Sequence, residues 1–428
     1  MRAEIVAVGS ELLLGDIVDT NSTWLTSRLA EIGVDVHRHT VVGDNPERLA
    51  AALSEAADRA DVVIVGGGLG PTQDDLTRFV VADLAGVPLE RHQGLVDHLR
   101  ERFARMHRSM PERNLVQCDL PAGARVLWPA GTAAGFVVTL ADGTEVWCLP
   151  GPPWELHELA HRDLLPALSE AAGQGATISR LVRTSGIGES DVADRLGDLV
   201  AGLEDEHGRA NPTVAFLASG GEVRVRVTAK DATREEAVAR SQPVVDAIAG
   251  RLGPAVAGID DEGPEHQVAR LLAAGGHTLA VAESLTAGRV GERLVAVPGA
   301  SAWFRGGLLC YATDLKATLG GVDRDLLAAR GPVDEAVAAA LARGAAQRCG
   351  ADVGLGLVGV AGPEPQGDAE VGTVIAAVWD GRQEPAAERH RRRQVPARTR
   401  VEIQRMASAT ALDLARRVLA GETDPPRT

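Results

Sequence analysis

Short apolar runs alternate with amphipathic stretches through the first 170 residues. Ile5–Val8 is an unbroken apolar run, which predicts a buried strand. Asn21–Ile32 follows with Leu25, Leu29 and Ile32 at helical spacing, so one face of a helix is apolar. Val34–His39 predicts a second strand, Pro46–Arg59 a second helix and Asp61–Val65 a third strand. This alternation predicts an α/β fold whose mainly parallel sheet is covered by helices. Ligands of such sheets bind at the carboxyl ends of the strands.

The pattern changes after residue 170. Ile178–Ser185 and Val214–Leu217 predict strands. Glu222–Lys230 alternates Val223, Val225 and Val227 with Arg224, Arg226 and Thr228, as a half-exposed strand does. With helices near 189–203 and 233–251, residues 171–256 predict a small α+β middle module. Gly253–Glu265, rich in Gly, Pro and Asp, predicts a linker. Residues 265–428 then return to α/β alternation. Strands are expected at Thr278–Ala282 and near 306–311, 353–360, 371–379 and 387–395, and a long helix from about 398 to 420.

Composition narrows the function. Hydrophobic residues make up 45% of the chain but aromatics only 3%, so small aliphatic side chains must fill the cores. A net charge of −15 argues against a phosphate backbone as partner, because the repulsion would act over the whole surface. Cys118, Cys148, Cys310 and Cys349 are scattered without a CxxC pair, which fits reduced thiols of a cytoplasmic protein. The chain opens on a strand, so no signal peptide is expected. No apolar run is long enough to span a bilayer.

Two of the 44 Lys and Arg residues are lysine, Lys230 and Lys316, and the one tyrosine, Tyr311, lies five residues before Lys316. Arginine supplies surface cations everywhere else. A retained lysine therefore points to something arginine cannot do, such as losing a proton near neutral pH. The strand at His277–Ala282 runs into Glu283, Ser284, Leu285, Thr286, Ala287 and Gly288. Ser284 at this turn is either a helix N-cap or a nucleophile, with helix-start amides stabilising an oxyanion beside it. As a nucleophile it needs a base. Lys316 is the candidate, with Tyr311 relaying or orienting the proton.

The segment Ala282–Gly288 closely resembles the AESxTGG signature of nicotinamide mononucleotide (NMN) deamidases. Pro298–Gly307, Tyr311–Lys316, Val360–Pro363 and Val371–Val374 match as well. The resemblance implies an amidohydrolase that converts NMN to nicotinic acid mononucleotide and ammonia without a cofactor. Ser284, Lys316 and Tyr311 would be its catalytic residues. Glu283, Thr286, Gly288 and Gly362 would bind substrate, and Arg400 would meet the phosphate. Two departures stand out. Ala287 replaces one of the two signature glycines, and Glu364-Pro365-Gln366 replaces the xGG that often follows AGP in the family.

Near the N-terminus, Gly66-Gly67-Gly68-Leu69-Gly70-Pro71-Thr72 follows a strand and precedes Asp74 and Asp75. Glycines there let backbone amides approach phosphate, and paired carboxylates can hold a divalent cation such as magnesium. A plain turn with two solvated aspartates is the alternative. These residues, with Ser10, Glu11, Asn21, Val42–Asn45 and Leu149–Glu155, resemble the molybdopterin-binding-like domain of the competence/damage-inducible protein A (CinA) family. The domain order of the whole chain matches that family. The resemblance implies a homodimer that also binds ADP-ribose at Ser10, Glu11, Asn21, Gly67, Gly68, Gly70 and Thr72, with hydrolysis there as a further expectation. Asp74 and Asp75 would hold the metal, and Lys230 would reach the phosphates. The competing expectations are a molybdopterin-related protein and a non-enzymatic regulator of competence or DNA damage.

Overall fold

A computed structural model describes residues 1–173, 175–203, 210–219, 222–383, 385–396 and 399–422. By contacts the chain divides into two compact units. One is Met1–Ile178 with Ala229–Arg240, and the other is Ser179–Thr228 with Ser241–Thr428. The fold is mixed α/β, with parallel pairing in the two larger sheets.

The N-terminal unit contains β1 (Arg2–Val8), β2 (Asp35–Val42), β3 (Val62–Gly66), β4 (Leu89–Arg91), β5 (Asp119–Pro121), β6 (Arg125–Leu127), β7 (Gly135–Thr139) and β8 (Glu145–Leu149). Six of them form a sheet in the order β2-β1-β3-β8-β7-β6. Strands β2, β1, β3 and β8 run parallel, and β7 and β6 add antiparallel edges. The unbroken apolar runs have a simple cause: both faces are buried. Val6, Val63 and Val65 pack on one face with Leu49 and Leu53, while Ile5 and Ile64 pack on the other with Leu25 and Leu29.

Strands β9 (Ala176–Thr184), β10 (Thr213–Ser219), β11 (Glu222–Asp231) and β12 (Val256–Ile259) form a four-stranded sheet in the order β10-β11-β9-β12. Strand β12 lies inside the segment predicted to be a linker. Val256, Gly258 and Ile259 pair antiparallel with β9, and without them that edge of β9 would be open. Four residues are too few to show alternation, and the flanking Gly and Pro residues dominate the sequence signal.

The C-terminal sheet has the order β14-β13-β15-β16-β17, built from β13 (Leu279–Glu283), β14 (Phe304–Leu309), β15 (Val353–Gly359), β16 (Thr373–Asp380) and β17 (Ala387–Gln394). Strand β13 is second from the edge and pairs parallel with both neighbours. Helix Glu335–Cys349 packs on the face made by Ala280, Ala282, Val358 and Ile375. Its approach is close: a Cβ at Gly354 would lie 1.8 Å from the carbonyl oxygen of Ala342. Helix Arg400–Leu419 covers the opposite face through Ile403, Ala407, Ala411 and Leu412. The start expected for this helix, near 398, falls outside the described residues. Among the described residues no helix is long and apolar enough to cross a membrane.

One ion cluster fixes that last helix. Asp413 is fully buried, and its carboxylate lies 2.7 Å from Arg391 of β17, 2.6 Å from Arg416 and 3.0 Å from Arg417. Arg416 also donates to the carbonyl of Pro254 at 2.8 Å. Burial pushes the Asp413 pKa up, but the three guanidinium groups outweigh it and the carboxyl titrates below its ordinary value. Asp413→Ala therefore takes from three arginines the carboxylate they share and should cost about 3–5 kcal/mol in urea denaturation. Because the folded pKa is depressed, this stabilisation is complete above the unfolded value of about 3.9 and is lost as pH falls through the folded value. The wild type should lose stability over that acid range more steeply than Asp413→Ala does.

Candidate active site

Ser284 follows the last residue of β13 and is buried. It is not an N-cap. The next helix begins only at Arg289, with Gly288 as its cap, so Ser284 sits in an extended turn. Lys316 lies on the short helix Thr313–Thr318 and is 3% exposed. Its Nζ is 3.0 Å from Ser284 Oγ, 2.9 Å from the Cys310 carbonyl oxygen and 3.1 Å from that of Tyr311.

This geometry sorts the protons. A neutral amine has two N–H bonds and one lone pair. The two carbonyls can only accept, so they take the two hydrogens and leave the lone pair for the Ser284 hydroxyl. Burial favours that neutral form: desolvation pushes the Lys316 pKa below its ordinary value, and the Cys310 thiol is the smaller, opposing influence. The lining of a cavity of about 260 Å³ brings Ser284 and Lys316 together with Tyr311, Gly362, Glu364 and Arg400.

Several roles differ from expectation. The Tyr311 phenol is exposed, and its partner is Arg400 Nη2 at 2.7 Å; Tyr311 touches Lys316 through its backbone carbonyl. Glu283 does not face substrate. Its buried carboxylate accepts the amides of Gly288 at 3.0 Å, Val290 at 3.1 Å and Gly291 at 2.9 Å. The helix-start amides expected to stabilise an oxyanion are therefore committed to Glu283, Gly288 among them. Thr286 is buried, outside the cavity lining, and its Oγ1 has no hydrogen-bond partner. Arg400 fits its expected place: it opens the last helix and donates to the Gly362 carbonyl and the Tyr311 hydroxyl, both neutral acceptors. Its charge is not cancelled by either.

A larger cavity, about 750 Å³, lies in the N-terminal unit and draws on the ends of β1 and β3. Glu11, Asn21, Gly67, Gly68, Gly70 and Asp75 line it. Ser10, Thr72 and Asp74 do not. Ser10 is tied to Asp44, its amide donating to the carboxylate at 2.9 Å and its hydroxyl accepting the Asp44 amide at 3.1 Å. The Asp75 carboxylate accepts the amides of Gly70 at 2.6 Å and Thr72 at 2.8 Å, and the Thr72 hydroxyl as well. It clamps the loop, and Asp74 is exposed. The pair does not fit a divalent-cation site, and among the described residues no cluster of three His, Cys, Asp or Glu side chains could hold a metal. Lys230 is elsewhere. Its Nζ is 3.0 Å from both oxygens of Asp35, the first residue of β2, at the end of the sheet away from the cavity.

Sequence reasoning missed Glu155, which lines this larger cavity and is buried. It also missed the carbonyl of Cys310, since backbone acceptors leave no trace in residue identity. The chemistry, rather than the size of the cavity, singles out the C-terminal site.

An α/β fold with a buried serine–lysine pair at the end of an interior parallel strand defines the class of the C-terminal unit. Three family descriptions match the chain: a probable molybdopterin binding domain over residues 4–170, a damage-inducible protein CinA KH domain over 179–258, and a CinA C-terminal domain over 261–419. A CinA-like protein of Frankia casuarinae is 47% identical, covering 98% of this chain and 97% of its own. A CinA-like protein of Desulfovibrio desulfuricans is 43% identical over the same shares of the two chains. The chain belongs to the CinA family. Among solved structures, a CinA protein of unknown function from Thermoplasma acidophilum is 29% identical, with a TM-score of 0.36, and covers 40% of this chain and 97% of its own.

Ala287 explains why glycine is usual at its position. Its φ is +50°, in the left-handed region that a Cβ disfavours. Ala287→Gly should raise stability by up to about 1 kcal/mol, the relief of strain less the added chain entropy. A shift of the urea midpoint to higher concentration checks this.

Proposed function

We propose that the C-terminal unit is an amidohydrolase that converts NMN to nicotinic acid mononucleotide and ammonia. The observation that carries this is the desolvated Lys316 amine, 3.0 Å from Ser284 Oγ. In this scheme Lys316 takes the Ser284 proton as Oγ attacks the carboxamide carbon. The resulting ammonium gives that proton to the departing nitrogen, and ammonia leaves an ester on Ser284. Water, deprotonated by the same amine, then attacks the ester; the ester C–O bond breaks, the acid is freed, and the ammonium returns its proton to Ser284 Oγ. The family resemblance supports a nicotinamide substrate. The uncancelled guanidinium of Arg400 on the cavity lining supports a phosphate there.

A second activity rests on the N-terminal cavity, which we read as an ADP-ribose-binding site. Its volume of about 750 Å³ suits a small ligand, and it lies at strand ends where open α/β sheets bind ligands. Hydrolysis through a metal at Asp74 and Asp75 is not part of this reading.

Ammonia release from NMN tests the first activity. Ser284→Ala should abolish it. Lys316→Arg puts a permanently charged guanidinium in place of the base, and should lower kcat by about 10³-fold, within the usual range for general-base removal. The wild-type rate should rise with pH and level off below the ordinary lysine value of about 10.4, because Lys316 must be neutral to act. Release that survives Lys316→Arg would overturn the mechanism.

A further inference from the structure

The N-terminal cavity is lined by four acidic side chains, Glu11, Asp19, Asp75 and Glu155, and by no lysine, arginine or histidine among the described residues. Two of the four are committed locally. Asp19 accepts the Ser22 amide at 2.9 Å and caps the helix Thr20–Glu31, and Asp75 clamps the Gly70–Thr72 loop. The glycine loop offers little to an anion. The Gly67 amide donates to the Leu149 carbonyl at 3.0 Å, and the Gly70 amide is held by Asp75.

Glu155 differs from the other three. It sits in the first turn of the helix Pro153–Leu159 and is 6% exposed. Its Oε2 is buried without a hydrogen-bond partner. Desolvation pushes its pKa above the ordinary value, while the Ala133 and Thr132 amides and the Arg102 charge pull it down. The backbone is shaped around it: a Cβ on Gly131 would lie 2.1 Å from the Glu155 carboxyl carbon. Asn21 lines the same cavity. Its Nδ2 donates to the Gly151 carbonyl at 2.8 Å, which fixes the amide and leaves Oδ1 as acceptor, also buried and unpartnered. Leaving a buried polar atom unpaired costs about 1–3 kcal/mol. Two such atoms in one cavity point to a ligand that brings donors.

We infer that this cavity takes the uncharged, hydroxyl-bearing sugar portion of a nucleotide, with Asn21 Oδ1 accepting one hydrogen bond and Glu155 exchanging another, and that it rejects bare phosphate. The inference rests on reading the cavity as a nucleotide site. A phosphate group placed among these four carboxyl groups meets like charge, and the cation near them, Arg102, lies outside the cavity lining. A sugar hydroxyl donates to one orphan and accepts from the other when Glu155 is protonated.

Calorimetric titration of the full chain with adenosine, ADP-ribose and inorganic pyrophosphate tests it. Adenosine and ADP-ribose should bind, and pyrophosphate should not compete. Glu155→Leu should weaken both by about tenfold or more, and Glu155→Gln, which still donates and accepts, by less than about threefold. Glu155→Leu also takes the acceptor from the Ala133 and Thr132 amides, so retained ammonia release from NMN at the separate C-terminal site is the control that tells lost binding from misfolding. Competition by pyrophosphate as strong as that by adenosine would overturn the inference. So would Glu155→Leu leaving ADP-ribose affinity unchanged, with water satisfying Glu155 instead; the nucleotide site itself would then stand. Adenosine binding without ADP-ribose binding would refute the ADP-ribose reading and keep the sugar subsite. Binding of neither would refute both.

Discussion

A buried amine with no carboxylate bonded to it organises the C-terminal half of this protein. Lys316 is enclosed by neutral acceptors: two backbone carbonyls and one serine hydroxyl. An ammonium there forfeits its hydration without gaining an ion pair, which pushes the Lys316 pKa below its ordinary value. Everything around the amine depends on how its neighbours are held. The Cys310 amide donates to the Glu283 carbonyl at 2.8 Å, which fixes the Lys316 cradle to the strand that carries Ser284. The Glu283 side chain meanwhile gathers the amides of Gly288, Val290 and Gly291. One residue thus positions both sides of the pair without itself facing the cavity.

The fold was legible where burial is two-sided. Apolar runs such as Ile5–Val8 and the alternation in Glu222–Lys230 correspond to β1 and β11, because each strand's faces are set by the packing that the pattern encodes. Strand β12 was not legible, since it is four residues long and exists to cover an edge. Ser284 and Lys316 were legible for two independent reasons, the scarcity of lysine and the signature around the serine, and the structure places them in hydrogen-bond contact.

What the sequence could not disclose was which polar groups are already spent. Glu283, Gly288, Asp75 and Ser10 all carry atoms suited to a ligand, yet each bonds to its own loop or a neighbouring one. Backbone conformation decides this, and residue identity does not carry it. The same limit explains Lys230. Scarcity marked it as strongly as Lys316, but it lies at the surface against Asp35, where an arginine would serve. Rarity picks out a residue for inspection, and burial decides whether it is chemical. Glu155 is the converse case, an ordinary residue type made unusual by being buried with one oxygen unpaired.

The two cavities also differ in electrostatic character. The C-terminal one has a guanidinium in its lining, bonded to neutral partners. The N-terminal one is lined by carboxyl groups and has no cation among the described residues. The chain's two lysines allow the central claim to be measured directly. Carbon-13 labelling at lysine Cε gives two resonances, and Lys230→Arg identifies the one from Lys316. A Lys316 resonance that titrates well below the ordinary lysine value of about 10.4 is the predicted result. A resonance that stays protonated up to or beyond that value would contradict the account of Lys316 as the base.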